Sequence, residues 1–256
     1  MKFKKYISIF IVVILIISCL IGGIIFMNDK KQQEFYKSQP LNLPQGFTYT
    51  AHTGCCGTED NSLEAIKVGV EQGAQIVEFD LYFNKENVAV LSHDAPKGNE
   101  VTLDEAFKLI ATYNDVKVNV DVKLCNDNLH VVYDLAKKYK ITDRIFFTGV
   151  NLEDVETVKK ECPEVDYYLN YDVKKESKQT PEYLNDIVKV VKDNGAVGIN
   201  FNKDSATKEL VDIFHNNDLL VSIWTVNEEK DMYKILYFAP DNITTRNPDV
   251  LKEILV

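Results

Sequence analysis

An alternation of short apolar segments with segments of helical periodicity is the feature that most constrains the fold of this sequence. Eight segments rich in β-branched and aromatic residues follow one another from residue 47 onward. They cover 47–53, 76–83, 117–124, 144–150, 165–171, 196–201, 219–226 and 242–246, with a short extra segment at 88–92. Segments of this length and composition predict buried β-strands.

The stretches between these segments carry helix boundary signals. The stretch 61–73 begins with Asn61, a predicted N-cap, and 102–113 begins with Thr102, followed three residues later by Glu105 in the capping-box pattern. Further helices are predicted near 127–139, 152–161, 181–194, 205–216 and 227–237. Strands that alternate with helices in this way form a parallel sheet covered by helices.

Eight strand–helix units in about 210 residues fit a TIM-type (β/α)₈ barrel of small size. An open doubly wound sheet is the alternative fold. Such a sheet usually carries a glycine-rich phosphate loop after its first strand, and no such loop follows residues 47–53. The sequence therefore predicts an α/β protein whose barrel occupies residues 47–256.

The N-terminal segment lies outside the predicted barrel. Residues 6–27 form an uncharged apolar run of 22 residues, which is long enough to cross about 30 Å of hydrocarbon as a helix. Three lysines precede this run and favour a cytoplasmic N-terminus. We therefore predict a transmembrane helix within residues 1–27, a polar linker over 28–46, and a single-pass protein of the cell membrane with an extracytoplasmic barrel.

A cleaved signal peptide and a lipoprotein signal are the two alternatives to an uncleaved helix in the apolar run. A cleaved signal peptide has a shorter apolar region and a cleavage site of small residues. Residues 16–19 resemble a bacterial lipoprotein box, in which Cys19 would be lipidated. The apolar run continues for eight residues beyond Cys19, where lipoproteins usually become polar, so the uncleaved helix is favoured.

Composition excludes two kinds of site. Without residues 1–27 the chain has 26 basic and 39 acidic residues, a net charge of −13, so it has no electrostatic attraction to nucleic acid. The five cysteines include no Cys-x-x-Cys pair, which argues against a zinc site made of thiolates. A disulfide between Cys125 and Cys55 or Cys56 is a hypothesis, with free thiols as the alternative.

Reactive side chains fall at the C-terminal ends of the first predicted strands, where the active sites of (β/α)₈ barrels lie. Glu78 and Asp80 are two residues apart on one strand, as are Asp121 and Lys123 on the next, so the members of each pair point to the same face. The candidate site consists of His52, Glu78, Asp80, His93, Asp121 and Lys123.

Three inward carboxylates on neighbouring strands repel one another and lose hydration unless a cation offsets them. Carboxylate oxygens favour a hard divalent ion, Mg²⁺ or Ca²⁺, over zinc. With such an ion bound, a phosphodiester can bridge the metal and Lys123. Two histidines beside the phosphorus can then accept a proton from the nucleophile and protonate the leaving alcohol. These residues predict a metal-dependent phosphodiester site.

Residues 51–94 resemble the opening of the glycerophosphodiester phosphodiesterase family. That family has, in order, His-Arg-Gly, Pro-Glu-Asn-Thr, Glu-x-Asp, His-Asp, and then an acid two residues before a lysine. The similarity continues through 118–123, 219–227 and 243–251, so it covers essentially all of residues 47–256. Each motif is weak by itself, whereas their order and spacing together are specific.

The resemblance implies a TIM barrel that hydrolyses small-molecule glycerophosphodiesters to an alcohol and glycerol 3-phosphate with one divalent cation. It implies His52 and His93 as the acid–base pair, Glu78, Asp80 and Asp121 as metal ligands, and Lys123 as a phosphate contact. Trp224, at the end of the seventh predicted strand, is predicted to form a wall of the substrate pocket, with a place in the barrel core as the alternative.

Several positions depart from the family pattern. Thr53 stands where the family usually has an arginine that contacts phosphate, and Arg246, one of only two arginines, is a hypothetical replacement. Only residues 95–101 separate His93-Asp94 from the next helix, where many relatives carry a larger insertion. The Asp-x-Lys pattern of Asp121 and Lys123, together with the short insertion, also resembles lipid-directed phospholipases D of the sphingomyelinase D type. That activity and a catalytically inactive binding domain are the alternatives.

Overall fold

The computed structural model describes Met27 and residues 29–256. The described residues fall into two compact units, which divide between Pro40 and Leu41. In the first unit, residues 29–37 form a helix, α1. The predicted transmembrane helix lies, apart from Met27, outside the described residues. No helix in the described part of the chain is both long and apolar enough to cross a membrane.

The second unit is a closed barrel of eight parallel strands. Its strands are β1 (Thr48–Ala51), β2 (Ile76–Phe83), β4 (Lys117–Val122), β5 (Ile145–Val150), β6 (Tyr167–Asn170), β7 (Gly198–Asn202), β8 (Leu220–Trp224) and β9 (Asn242–Thr245). The barrel closes because β1 pairs with both β9 and β2. A short strand, β3 (Ala89–Leu91), lies antiparallel on β2. The predicted (β/α)₈ barrel is confirmed.

Helices follow the barrel strands and cover the outside of the sheet. They are α2 (Leu63–Glu71), α3 (Leu103–Ile110), α4 (His130–Tyr139), α5 (Val155–Glu161), α6 (Pro181–Asp193), α7 (Lys208–His215), α8 (Glu229–Phe238) and α9 (Pro248–Leu255). Seven of them overlap the predicted helices. The eighth, α9, was not predicted, although Pro248 at its first turn is a typical start signal.

Helix starts agree with the sequence in one place and differ in another. Thr102 and Glu105 form the predicted capping box of α3. At α2 the predicted cap is wrong, because the Oγ of Ser62, and not Asn61, accepts the hydrogen bond from the amide of Ala65 at 3.1 Å. Asn61 has a positive φ of 56° and lies in the loop before the helix.

The two faces of the strands have different chemistry. Toward the helices they are apolar, and Phe79 of β2 packs against Phe107 of α3 with ring centroids 6.3 Å apart, both rings being fully buried. Burial of one such side chain contributes roughly 1.5–3 kcal/mol. Toward the barrel axis many positions are polar. Polar residues on neighbouring strands lie side by side there, as Asn200 does with Asn170 on one strand and Ser222 on the other. The helices are therefore held on by an apolar layer, while the interior of the barrel is left polar.

Candidate active site

A cavity of about 530 Å³ opens at the C-terminal ends of the barrel strands. The structure brings all seven sequence-predicted site residues to its walls: His52, Glu78, Asp80, His93, Asp121, Lys123 and Trp224. Their convergence follows from the parallel barrel, in which the same end of every strand faces the same mouth. Residue spacing along the chain does not by itself bring Trp224 of β8 to the same cavity as the carboxylates of β2; the closed barrel does.

Three carboxylates form a compact acidic cluster on β2 and β4. One oxygen from each of Glu78, Asp80 and Asp121 lies within 4.8 Å of the others. Glu78 and Asp80 are 4% and 3% exposed, and Asp121 is the direct β-sheet partner of Asp80. Burial, and then the charges of Asp80 and Asp121, raise the pKa of Glu78 well above its ordinary value. Oxygen ligands crowded in this way fit a hard divalent cation, whose charge reverses such a shift.

Lys123 balances part of the negative charge. Its Nζ lies 2.6 Å from Asp121 Oδ2 and 3.1 Å from Asp80 Oδ1. Burial lowers the pKa of Lys123, but the charges of Asp121 and Asp80 outweigh burial and raise this pKa above its ordinary value. One ammonium group against three carboxylates leaves two negative charges in excess when all are ionised. A divalent cation would cancel this excess.

The loop after β1 holds two of the carboxylates in place. The amide of Thr53 donates to Glu78 Oε2 at 2.8 Å. Asn61 bonds Asp80 twice, because its Nδ2 donates to Asp80 Oδ2 at 2.8 Å and its Oδ1 accepts from the amide of Asp80 at 2.9 Å. Asparagine tolerates the left-handed backbone conformation found here, which suits residue 61 to this role. Asn61 is thus a positioning residue for the site.

The end of β5 supports the third carboxylate. Thr148 Oγ1 lies 3.2 Å from Asp121 Oδ1, and its single proton is shared with a nearer acceptor, Asn119 Oδ1, at 2.8 Å. The next residue, Gly149, has a φ of +71°, and a Cβ there would lie 2.4 Å from Asp121 Oδ1 and 2.5 Å from the carbonyl oxygen of Val122. Glycine is required by both the conformation and the space. Sequence reasoning did not identify Thr148 or Gly149, although a glycine that ends an apolar strand is a detectable signal.

His52 follows β1 and is oriented by its own loop. Its amide donates to the carbonyl of Thr245 at 2.9 Å, which ties it to β9. Its Nδ1 lies 2.8 Å from the carbonyl oxygen of Thr53. A carbonyl only accepts hydrogen bonds, so Nδ1 carries the proton and Nε2 is left as an acceptor. Burial lowers the pKa of His52, which favours the neutral imidazole.

His93 stands at the mouth of the cavity in a different environment. Its side chain is 67% exposed, and its Nδ1 lies 3.2 Å from Asp94 Oδ1. The residue follows β3, the short strand that pairs with β2 and brings His93 toward the same opening as the acidic cluster. The two histidines therefore differ in exposure and in hydrogen-bond partner.

Arg246 brings a positive charge to the loop after His52. It follows β9, lines the cavity, and its Nη2 pairs with Asp60 Oδ1 at 2.9 Å. Its Nη1 lies against the backbone of Gly54, where an added Cβ would be only 2.7 Å away. Thr53, by contrast, is 2% exposed. The guanidinium thus occupies the space beside residues 53–54.

A model of the glycerophosphoryl diester phosphodiesterase family matches residues 45–109 and 95–250. The chain belongs to this family. The predicted class of enzyme, a phosphoric diester hydrolase, is thereby confirmed, and the family's need for a divalent metal agrees with the acidic cluster.

Similar proteins extend over nearly the same region. The protein YqiK of Bacillus subtilis strain 168 is 20% identical over 80% of this chain and 97% of its own length. A phosphodiesterase of Oleispira antarctica, solved with the product sn-glycerol-3-phosphate, is 16% identical with a TM-score of 0.69, over 83% of this chain and 97% of that one. A glycerophosphodiester phosphodiesterase of Parabacteroides distasonis is 17% identical with a TM-score of 0.66, over 82% and 97%.

Within this family fold, the side of the cavity away from the acidic cluster is built from amides. Asn200 Nδ2 donates to Asn170 Oδ1 at 3.4 Å, and Asn170 Nδ2 donates to Asn151 Oδ1 at 3.5 Å. These three residues, which we name the amide row, come from β7, β6 and the end of β5. Sequence reasoning missed them because asparagine after a strand is also a common loop residue.

Trp224 lies where the sequence predicts it, at the wall of the cavity. Its buried Nε1 has no hydrogen-bond partner among the residues that the structure describes.

The described cysteines Cys55, Cys56, Cys125 and Cys162 are free thiols. The hypothesis of a disulfide between Cys125 and Cys55 or Cys56 is therefore wrong. Cys125 instead packs its Sγ 3.9 Å from the carbonyl oxygen of Asp154, at the start of α5.

Proposed function

We propose that this chain hydrolyses glycerophosphodiesters to glycerol 3-phosphate and an alcohol, using Mg²⁺ or Ca²⁺, in the extracytoplasmic space beside the membrane. The observation that carries the proposal is one cavity that combines a cluster of three carboxylates, a paired lysine and two histidines in different environments. The product bound to the Oleispira antarctica phosphodiesterase is the same product that we propose here.

Glu78, Asp80 and Asp121 would hold the divalent ion, since they offer oxygen atoms within 4.8 Å of one another. When bound, the ion supplies positive charge to the phosphate oxygens. The chain itself holds Glu78 and Asp80 through Thr53 and Asn61 and pairs Asp121 with Lys123, so little reorganisation is needed when the site is loaded. This preorganisation is the contribution of the protein to the charge stabilisation.

His52 is suited to accept the proton of the attacking hydroxyl. Its Nε2 is an acceptor because Nδ1 donates to the carbonyl of Thr53, and burial lowers its pKa, so the neutral base is the form present near pH 7. His93, exposed at the mouth, is suited to donate a proton to the leaving alcohol. The attacking hydroxyl belongs either to water or to the substrate glycerol, and the latter gives a cyclic phosphate first.

Two cations would bind the phosphate of the substrate. Lys123 remains protonated because Asp121 and Asp80 raise its pKa. Arg246 adds a second charge from the space beside Gly54, where its guanidinium is paired with the half-exposed Asp60. Arg246 would thus replace the arginine that the family usually carries at the position of Thr53. Trp224 would form one wall of the substrate pocket.

The proposed location of the enzyme rests on the sequence alone. The apolar run 6–27, with three lysines before it, supports a single-pass membrane anchor with the barrel on the extracytoplasmic side. In intact cells, externally added protease would then cleave the barrel from the anchor. Protection of the barrel until the cells are lysed would contradict this location.

A lipid-directed phospholipase D is the second candidate, because an anchor would hold the barrel beside a bilayer. Its cavity would need an apolar wall for the lipid. The cavity observed here is lined mostly by charged and amide side chains, with Val122 and Trp224 as its larger apolar residues. This lining supports a water-soluble diester.

The proposal is tested with the full chain in detergent, incubated with glycerophosphodiesters and with lysophospholipid, with Mg²⁺ or Ca²⁺ supplied. We expect glycerol 3-phosphate from the former and no turnover of the latter. Hydrolysis of the lysophospholipid alone would support the lipid-directed alternative instead. Failure to hydrolyse either, in a protein shown to be folded by circular dichroism, would support a binding domain.

A further inference from the structure

The amide row, Asn151, Asn170 and Asn200, lines the cavity but has no part in the chemistry proposed above. It spans β5 to β7, whereas the acidic cluster lies on β2 and β4; β5 is next to β4, and β7 lies opposite β2 in the closed barrel. A diester whose phosphate lies at the acidic cluster therefore extends one of its two alcohol arms toward the amide row. The row is a candidate binding site for that arm.

The amides of the row have hydrogen-bonding capacity to spare. The bonds within the row, at 3.4 and 3.5 Å, are long for hydrogen bonds between amides. No described residue donates a hydrogen bond to Asn200 Oδ1, and Asn200 is 7% exposed at the cavity wall. An amide at a cavity wall that is only partly bonded within the protein can take a ligand group as its missing partner.

Only Asn151 is firmly held at the end of the row. Its Nδ2 donates to Asp154 Oδ2 at 3.2 Å and to the carbonyl of Gly149 at 3.3 Å. This fixes which side of the Asn151 amide is the acceptor, and Asn170 follows by donating to that acceptor. The row therefore presents alternating donors and acceptors along the cavity wall, which is the pattern that successive hydroxyl groups match.

Other head groups fit this wall poorly. A quaternary ammonium group is recognised by a cage of aromatic rings, and among the described residues that line the cavity Trp224 is the one aromatic side chain besides the two histidines. An aliphatic alcohol would leave the buried amides unpaired, which strongly disfavours binding.

From this geometry we infer that the amide row binds hydroxyl groups of the leaving alcohol, so that the preferred substrates are glycerophosphodiesters of polyols. A second glycerol or a cyclitol fits this class, and choline does not. The inference rests on the proposed phosphodiesterase function and specifies its substrate class.

The test compares kcat/KM for glycerophosphoglycerol and glycerophosphocholine, using the full chain with Mg²⁺ or Ca²⁺ supplied. We expect glycerophosphoglycerol to be favoured by about tenfold or more. The variants Asn170→Leu and Asn200→Leu keep the side-chain volume close and remove the hydrogen bonds. Each should lower kcat/KM for glycerophosphoglycerol by about tenfold and change that for glycerophosphocholine by less than about threefold.

Asn185→Leu is the matched control, because Asn185 is exposed on α6 and takes no part in the cavity. It should leave both substrates unchanged. Since Asn170 is only partly buried, Asn170→Leu decides the matter if the more buried Asn200→Leu fails to fold.

Three outcomes would overturn the inference. Equal or better hydrolysis of glycerophosphocholine by the unmodified chain would overturn the substrate class while leaving the phosphodiesterase function intact. An equal loss on both substrates in the leucine variants would mean that the row binds the glycerol common to both. Hydrolysis of neither diester would remove the proposed function, and this inference with it.

Discussion

The acidic cluster and the amide row are two sides of one cavity, and they differ in how firmly their polar groups are held. On the acidic side, Glu78 and Asp80 accept bonds of 2.8 Å from the loop after β1, and Lys123 pairs with Asp121 at 2.6 Å. On the amide side the bonds are 3.4 and 3.5 Å. The first arrangement is rigid before substrate arrives, as charge stabilisation requires. The second leaves its groups available to a ligand.

Because of this contrast, substitutions on the two sides should have different effects on activity. A change in the acidic cluster should remove catalysis for every diester, because the phosphate is common to all of them. A change in the amide row should alter which diester is preferred. The predictions that follow run from the largest expected effect to the smallest.

Asp80→Ala should lower kcat by at least about a thousandfold for every diester, because it removes a proposed metal ligand and one of the two carboxylates paired with Lys123. Steady-state release of glycerol 3-phosphate measures this loss. Circular dichroism should show a folded barrel, because the change removes one of three crowded carboxylates that repel one another. Asp134→Ala, at an exposed carboxylate on α4, is the control and should keep full activity. If Asp80→Ala were fully active, the metal site would lie elsewhere.

His52→Ala should lower kcat by about a hundredfold to ten-thousandfold, the range expected for the loss of a general base. Because burial lowers the pKa of His52 from its ordinary value of 6.5, the neutral form is the larger fraction at that pH, and the acid limb of the kcat/KM profile should lie below it. The profile from pH 5 to 9 tests this directly. An acid limb above pH 6.5 in the unmodified chain would exclude a buried, neutral His52 as the base.

Arg246→Ala should lower kcat/KM by about tenfold to a hundredfold through a weaker interaction with the phosphate. Arg246→Lys should recover part of this loss, because it restores the charge without the two-pronged geometry. Asp60→Asn, which removes the partner of the guanidinium and keeps the side-chain size, is the matched control and should not reduce activity. A similar loss in Asp60→Asn and Arg246→Ala would point to a role in loop structure alone.

Gly149→Ala should act through geometry rather than chemistry. The positive φ alone costs about 1 kcal/mol, and the added Cβ would also displace the Asp121 carboxylate. We expect a lower thermal unfolding midpoint together with a severalfold loss of activity. Gly57→Ala is a useful comparison, because φ is +77° there and no atom lies within 4 Å of the added Cβ. It should lose stability and keep activity.

The barrel and the acidic cluster were predictable from the sequence because both depend on local spacing. Alternate residues share one face of a strand, so Glu78 with Asp80 and Asp121 with Lys123 could be paired before the fold was known. The ends of parallel strands then bring the pairs together. The C-terminal helix α9 is the one α-helix of the described barrel that was missed.

The residues that were missed, and the role of Arg246 that was only a hypothesis, depend on contacts between distant parts of the chain. The approach of Arg246 to Gly54 follows from the pairing of β9 with β1, which closes the barrel. The role of Asn61 depends on a positive φ that lets its side chain reach Asp80. The amide row comes from three separate strands, and each asparagine taken singly is typical of a turn. Spacing along the chain does not encode any of these contacts.

Release of glycerol 3-phosphate from glycerophosphoglycerol by the full chain, followed before chelation, after chelation and after metal is restored, tests the central claim most directly. We predict release that stops when the metal is chelated and resumes when Mg²⁺ or Ca²⁺ is added back. Release that continues unchanged after chelation would contradict a metal site at Glu78, Asp80 and Asp121. No release under any of these conditions would contradict the proposed hydrolysis itself.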